Sequence, residues 1–278
     1  MNGTTVNPPV HVLENRSGWI GIDFRELYEY RDLFFFLTWR QIKVLYAQTI
    51  LGLSWAILNP LIQILVFTVI FGKVAKLETD GIPYFLFSTV AMIPWAYMSD
   101  AMSQSSQSLV TGQQMLGKIY FPRILYPLTP VFARLVDFSI SLLLLIAVML
   151  WYQVVPTWNL LVLPLLVLMM IMIPAAVGMW LSSLAIRFRD IKFMMPFVIK
   201  MLIYTAPILY SASAIPPGYR LLYSLNPLVG VIEGYRACLL GYPIPWEYII
   251  PGAVVAVLLL VSGAMYFRKM ERIIVDVI

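Results

Sequence analysis

From residue 138 to residue 186 the chain carries no charged side chain. An apolar helix needs about 20 residues to cross a bilayer, so this stretch is too long for one crossing. The dip at Tyr152-Gln153-Val154-Val155-Pro156-Thr157-Trp158-Asn159 divides it into two crossings joined by a tight turn. The chain as a whole follows the same pattern: 61% of its residues are hydrophobic and 12% charged, where a soluble domain carries about 25% charged. So little charge cannot cover a water-facing surface, and most of the outer surface must face lipid. Disordered, collagen-like and disulfide-scaffold classes fail on the same numbers. A net charge of +5 is small for a nucleic-acid binder, and no nucleic-acid partner is expected.

Applied along the chain, the criterion predicts six spans, at about residues 51–72, 82–102, 134–153, 159–186, 194–212 and 247–267. The expected fold is an all-α polytopic membrane protein. A polar leader (1–22) and a segment at 23–50 precede the six-span domain (51–268), and a tail (269–278) follows it. Fifteen of the 19 lysines and arginines fall on the side that holds both termini. Only Lys73, Lys76, Arg220 and Arg236 fall on the other, so both termini are expected in the cytoplasm. The first apolar run starts well past residue 30 behind a charged segment, so no cleaved leader is expected and the first span acts as the insertion signal.

Three segments are not simple spans. At helical spacing, Arg25, Glu29, Asp32, Arg40 and Lys43 form one stripe of 23–50, broken only at Phe36, while Leu27, Tyr30, Phe34, Leu37 and Val44 form another. This predicts an N-terminal amphipathic helix, lying in the cytoplasmic interface or packed on another subunit. Residues 103–128 form the expected loop after the second span. Within it, Gly112-Gln113-Gln114-Met115-Leu116-Gly117-Lys118 matches the start of a phosphate-binding loop, but Ile119 stands where a Ser or Thr must hold magnesium, and no strand precedes it. ATP hydrolysis is therefore not expected on this chain. Residues 226–241, between spans five and six, are too apolar for an exposed loop and too broken by Pro227, Gly230 and Gly234 for a span. They predict an outer re-entrant helical hairpin. Within it Glu233 and Arg236, three apart, can pair, either as a gate at the outer mouth or as a brace for the hairpin.

The acids Asp100 and Asp137 sit near span ends, Asp137 with Arg134 one turn away, which favours pairing over proton transport. The span interiors otherwise lack ionisable groups, so uphill transport must draw energy from elsewhere. Cys238 is the only cysteine and His11 the only histidine, so no metal site is expected.

Several segments in order resemble ABC-2 type permeases, the membrane subunits of ATP-driven exporters of O-antigen, capsular polysaccharide and teichoic acid. They are Arg31-Asp32-Leu33, Tyr46-Ala47-Gln48-Thr49-Ile50-Leu51-Gly52-Leu53-Ser54-Trp55-Ala56, Asn59-Pro60-Leu61, Lys118-Ile119-Tyr120-Phe121-Pro122-Arg123, Phe188-Arg189-Asp190-Ile191, and Asn226-Pro227 with Glu233, Tyr235 and Arg236. The resemblance implies a homodimer in a bacterial inner membrane with two separate nucleotide-binding ATPase subunits, which would hold the ATP and magnesium, and no cofactor on this chain. It implies that Lys118, Ile119, Tyr120, Phe121, Pro122 and Arg123 contact the ATPase. It implies a cargo of undecaprenyl-pyrophosphate-linked glycan, and a hairpin gate at Asn226, Pro227, Glu233 and Arg236. An aromatic-lined channel is also implied, with Trp55, Phe87, Trp95, Tyr97, Tyr204 and Tyr210 as candidates, each alternatively a membrane-belt or packing residue. Arg31, Arg40 and Lys43 are candidates for the cargo's pyrophosphate, or for anchoring the amphipathic helix to anionic membrane lipid. Export of a small lipid or drug, an ion-coupled carrier, and a membrane enzyme are the alternatives. The carrier needs an internal repeat and the enzyme a cluster of carboxylates or histidines, and neither is visible.

Overall fold

The computed structural model describes residues 24–47, 52–116, 121–155, 157–188 and 190–277. The leader, Gln48-Thr49-Ile50-Leu51, Arg189, and Lys118, Ile119 and Tyr120 of the expected ATPase contact lie outside the described residues. Every regular element described is helical. α1 (Phe24–Glu29) and α2 (Arg31–Tyr46) are separated at Tyr30. After a 3₁₀ turn, α3 (Trp55–Phe67) continues as a π-helix over Thr68–Val74. α4 (Tyr84–Thr111), α5 (Gln113–Leu116) and α6 (Leu125–Trp151) follow. A 3₁₀ turn then leads into α7 (Leu163–Arg187), and α8 (Asp190–Met201) closes in a 3₁₀ turn, Leu202–Tyr204. The chain ends with α9 (Arg220–Ser224), α10 (Pro227–Leu240) and α11 (Trp246–Val277).

Among the described residues, four helical stretches are long and apolar enough to cross a membrane: Gly52–Val74, Leu125–Trp151, Trp158–Arg187 and Trp246–Glu271. Val254, Leu258, Val261 and Met265 of α11 are exposed at spacings of three and four residues, one stripe left for lipid. α4 is the core of the bundle instead. It packs against α6 and α7, with α3, α8 and α10 around it, and α11 closes on α7 and α10.

α4 differs from its sequence reading. The polar run Ser103–Ser108, expected in a loop, is helical, and Ser105, Ser106 and Ser108 are buried. Their hydroxyls bond to helix carbonyls: Ser106 donates to Ser103, Ser108 to Ser105, and Ser105 across to Pro127 of α6. A serine satisfied in this way is a small side chain that lets helices approach. Opposite it stands Gly178 of α7, where an added Cβ would overlap the Ser105 side chain. The region of the fifth predicted span also differs: helical structure there ends at Tyr204, and the chain continues in turns to Ser211.

Proline inside a helix removes one N–H and leaves the carbonyl four residues back without its bond. Pro60 of α3 frees the carbonyl of Ala56, and Ser141 of α6 donates its hydroxyl to that oxygen at 2.8 Å. Ser141→Ala should therefore lower thermal stability by roughly 0.6–2 kcal/mol. The loss should shrink when Pro60→Ala restores the bond within α3. Unfolding midpoints of the two single variants and the double variant measure both effects.

Candidate functional site

Polar side chains gather at two ends of the bundle. Tyr84, near one end of α4, and Leu109, near the other, are 25 residues apart, about 38 Å at the helical rise.

At the first end lies the segment after Tyr204, where Pro207 supplies no N–H and the helical ladder stops. Residues 206–209 are buried, so their carbonyls need partners, and nearly every carbonyl of the break has one. Tyr210 Oη donates to Tyr204 O at 3.2 Å and Asn226 Nδ2 to Thr205 O at 3.2 Å. Ala206 O accepts from the N–H of Ile208 at 2.8 Å. Arg236 Nη2 donates to Ile208 O at 3.1 Å and Nη1 to Tyr210 O at 3.3 Å. Tyr84 Oη donates to Leu209 O at 2.9 Å.

Arg236 is placed for this by α10. Asn226 caps that helix, its Oδ1 accepting from Leu228 N at 3.1 Å, and Pro227 occupies the first turn, where a missing N–H costs nothing. The Arg236 side chain is only 4% exposed and pairs with Glu233 Oε1 at 2.8 Å. Its guanidinium lies 3.6 Å from the ring centroid of Phe87. Glu233 also accepts from Ala212 N at 3.2 Å. Beside it, Asp80 accepts from the Ser211 and Ser213 hydroxyls at 2.6 and 3.1 Å. The structure thus joins Asn226, Pro227, Glu233, Arg236, Tyr204, Tyr210 and Phe87 in one assembly. Tyr84, Asp80, Ser211 and Ser213 belong to it too. Their sequence signal is faint, since each partner is remote in the chain.

At the opposite end, a second apolar cluster unites five elements: Leu37 of α2, Leu109 of α4, Phe121, Ile124 and Leu125, Met179 of α7, and Ala264, Phe267 and Met270 of α11. Leu27, Tyr30 and Phe34 pack on it as the amphipathic pattern requires, while Val44 is exposed. Phe121 and Pro122 are buried. Arg123 donates through its backbone N–H to Glu271 Oε1 at 3.1 Å. A groove of about 680 Å³ runs between α2, α4 and α6, lined by Arg40, Gln41, Gln104, Gln107 and Thr111 among others. Of the three basic candidates only Arg40 lines it, with Nη1 3.4 Å from Met115 Sδ. Arg31 lies over the Tyr28 ring and Lys43 over Trp39. Arg134 bridges Asp137 and, at 3.6 Å, Asp100, which ties α4 to α6.

The six aromatic candidates divide. Phe87, Trp95 and Tyr97 are 1–3% exposed, and Tyr97 Oη donates to Val131 O at 3.0 Å. They pack the interior of the bundle and do not line an open path. Trp55 and Tyr204 are exposed, and Tyr210 is half-buried. Among the described residues, no three His, Cys, Asp or Glu side chains gather as metal ligands do.

Removing one member of a buried ion pair strands the other and costs about 3–5 kcal/mol. Arg236→Ala should lower stability by that order and open residues 205–214 to protease. Glu233→Ala/Arg236→Ala should lose less than Arg236→Ala alone, because no charge is stranded. Thermal unfolding and limited proteolysis of the purified variants test both.

The model of the ABC-2 type transporter family matches residues 32–240. The O-antigen export system permease protein RfbA of Myxococcus xanthus is 29% identical over 248 residues, 88% of this chain and 95% of that protein. RfbA of Klebsiella pneumoniae is 25% identical over 86% of this chain and 92% of its own. The polysialic acid transport protein KpsM of Escherichia coli is 25% identical over 73% and 80% respectively. With a family match across most of its length, laid over a helical bundle that carries membrane-spanning stretches, the chain belongs to the ABC-2 type transporter family.

Proposed function

We propose that this chain is the permease subunit of an ATP-driven exporter that moves a lipid-linked polysaccharide out across a bacterial inner membrane. The observation that carries the reading is the near full-length similarity to permeases named for O-antigen and polysialic acid export. In this reading two copies of the chain form the conduit, and two separate ATPase subunits hold ATP and magnesium. Each copy crosses the membrane six times with both termini in the cytoplasm. α4 supplies the second crossing, its apolarity lowered by serines that face other helices. α8 and the break after it supply a shortened fifth, and α9 with α10 forms a re-entrant hairpin at the outer mouth.

Irregular backbone at membrane depth survives only where protein or a wet cavity satisfies it. The carbonyls at 204–210, held by Tyr84, Asn226 and Arg236, fit a mouth of that kind. Asn226, Pro227, Glu233 and Arg236 hold the gate closed, and Trp55, Tyr204 and Tyr210 offer ring faces to sugar. At the other end, ATP binding moves the segment from Lys118 to Arg123 and, through α6 and α2, parts the two copies. Arg40, in its groove beside neutral amides, meets the pyrophosphate of the cargo lipid, with Arg31 and Lys43 along the same helix, because phosphate is held best by guanidinium and ammonium donors. Arg134 pairs with both Asp100 and Asp137, which favours ion pairing over proton carriage at these acids, and the energy comes from the ATPase.

Deleting the gene should abolish surface polysaccharide and accumulate its lipid-linked precursor inside the cell. Normal surface polysaccharide in the deletion strain contradicts the reading, and loss of a drug-resistance phenotype alone favours a small-molecule cargo. Lys118→Ala with Arg123→Ala should lower both transport and cargo-stimulated ATP hydrolysis in the assembled complex. Replacing Arg31, Arg40 and Lys43 together should weaken binding of the lipid-linked cargo without preventing insertion. Unchanged binding removes these three from the pyrophosphate site.

A further inference from the structure

The stroke described above enters at Lys118–Arg123 and passes into α6, which starts two residues later. The contacts at that end reach a third element. Arg123 and Glu271 are 148 residues apart in sequence, yet two hydrogen bonds join them: Arg123 N–H to Glu271 Oε1 at 3.1 Å, and Arg123 Nη1 to Glu271 O at 3.4 Å. Ile124, at the start of α6, makes no side-chain cap. The first N–H groups of α6 already have partners, Leu125 N donating to Pro122 O at 3.2 Å and Tyr126 N to Arg123 O at 3.0 Å, but that end carries partial positive charge, so a carboxylate brought just before it by another helix stabilises it. Phe267, Met270 and Glu271 share one face of α11 at helical spacing, and the first two pack in the same cluster as Phe121, Ile124 and Leu125. The polar tie therefore sits on an apolar seam.

α11 runs from this seam to the opposite end of the bundle without leaving helical structure. From Phe267 back to Tyr248 it covers about 29 Å. There it meets α10 backbone to backbone: a Cβ added at Gly230 would lie 2.7 Å from Tyr248 O. Gly230 is on the helix that carries Arg236.

We infer that Glu271 is a positioning residue that makes the ATPase-facing loop and the last turns of α11 one body, so that α11 carries the stroke directly to the helix bearing Arg236. This rests on the proposed function, in which that loop receives the stroke. α6 and α2 open the conduit, and α11 times the hairpin with them.

The test uses the assembled complex with its ATPase in proteoliposomes. Glu271→Ala and Glu271→Gln should keep ATP hydrolysis within about twofold while lowering transport per ATP at least about fivefold, the lower end of ordinary coupling. Glu271→Asp should recover part of it. In Ser213→Cys with Cys238→Ala, thiol labelling at the hairpin end should change on ATP binding, and Glu271→Ala should abolish that change. A merely structural role would not remove this ATP-dependent signal from an assembled complex. If the Glu271 variants fail to assemble, a crosslinked pair decides. Arg123→Cys with Glu271→Cys should transport more per ATP after joining by a short bismaleimide than before it, because the crosslink replaces the lost tie. Full transport per ATP in assembled Glu271→Ala, or a crosslink that does not raise it, overturns the inference. Lys118→Ala and Arg123→Ala without effect, alongside uncoupled Glu271 variants, would overturn the loop as the point of input and leave the Glu271 tie standing. Effective loop variants with silent Glu271 variants overturn the tie alone.

Discussion

A buried backbone that leaves the helix must find partners for its carbonyls, and in the turn after Tyr204 one arginine serves two of them at once. Arg236 bonds the carbonyls of Ile208 and Tyr210, pairs with Glu233 and lies against the face of Phe87. Each contact is modest alone, but together they hold α4, α10 and the non-helical turn in one arrangement. Burying a guanidinium is costly unless its donors and charge are met. The arrangement is therefore close to all or nothing: losing one partner strands the others.

The rest of the bundle follows a related rule. Where a helix is interrupted or small polar residues are buried, a neighbouring helix or the helix itself supplies the missing bond. Ser141 serves the Ala56 carbonyl released by Pro60, and Ser105 reaches Pro127 on α6. Among helices surrounded by lipid, such bonds and close packing of small residues replace much of the hydrophobic drive available in water. They also link particular helices: α3 to α6, α4 to α6 and α7, and α10 to α11.

Much of this was legible in the chain. The apolar runs gave α3, α6, α7 and α11, and the stripe at Leu27, Tyr30, Phe34 and Leu37 gave the packed face of α1 and α2. The spacing of Glu233 and Arg236 announced their pair, because three-residue spacing is a local signal, whereas Pro227, Gly230 and Gly234, read as breaks, lie in one continuous helix with Pro227 in its first turn behind the Asn226 cap. What stayed hidden depends on residues far apart. Arg236 was read as an ion-pair partner, whereas most of its bonds go to carbonyls some 26 to 28 residues away. Ser103–Ser108 reads as a loop by polarity, and only their own helix carbonyls and Gly178 opposite make them a core. Phe87, Trp95 and Tyr97 read as candidate lining because ring and position are the same for lining and packing, and only burial separates the two. Glu271 gave no signal, since its partner is a backbone N–H 148 residues earlier in the chain.

Everything in the proposed cycle depends on where the driving energy enters. The direct measurement reconstitutes the chain in proteoliposomes loaded with lipid-linked polysaccharide, with and without its ATPase subunits, under ATP or an ion gradient. Outward movement that requires both the ATPase and ATP, with no nucleotide hydrolysis by the chain alone, is the expected result. Movement driven by the gradient without the ATPase, or ATP hydrolysis by the chain alone, would contradict it.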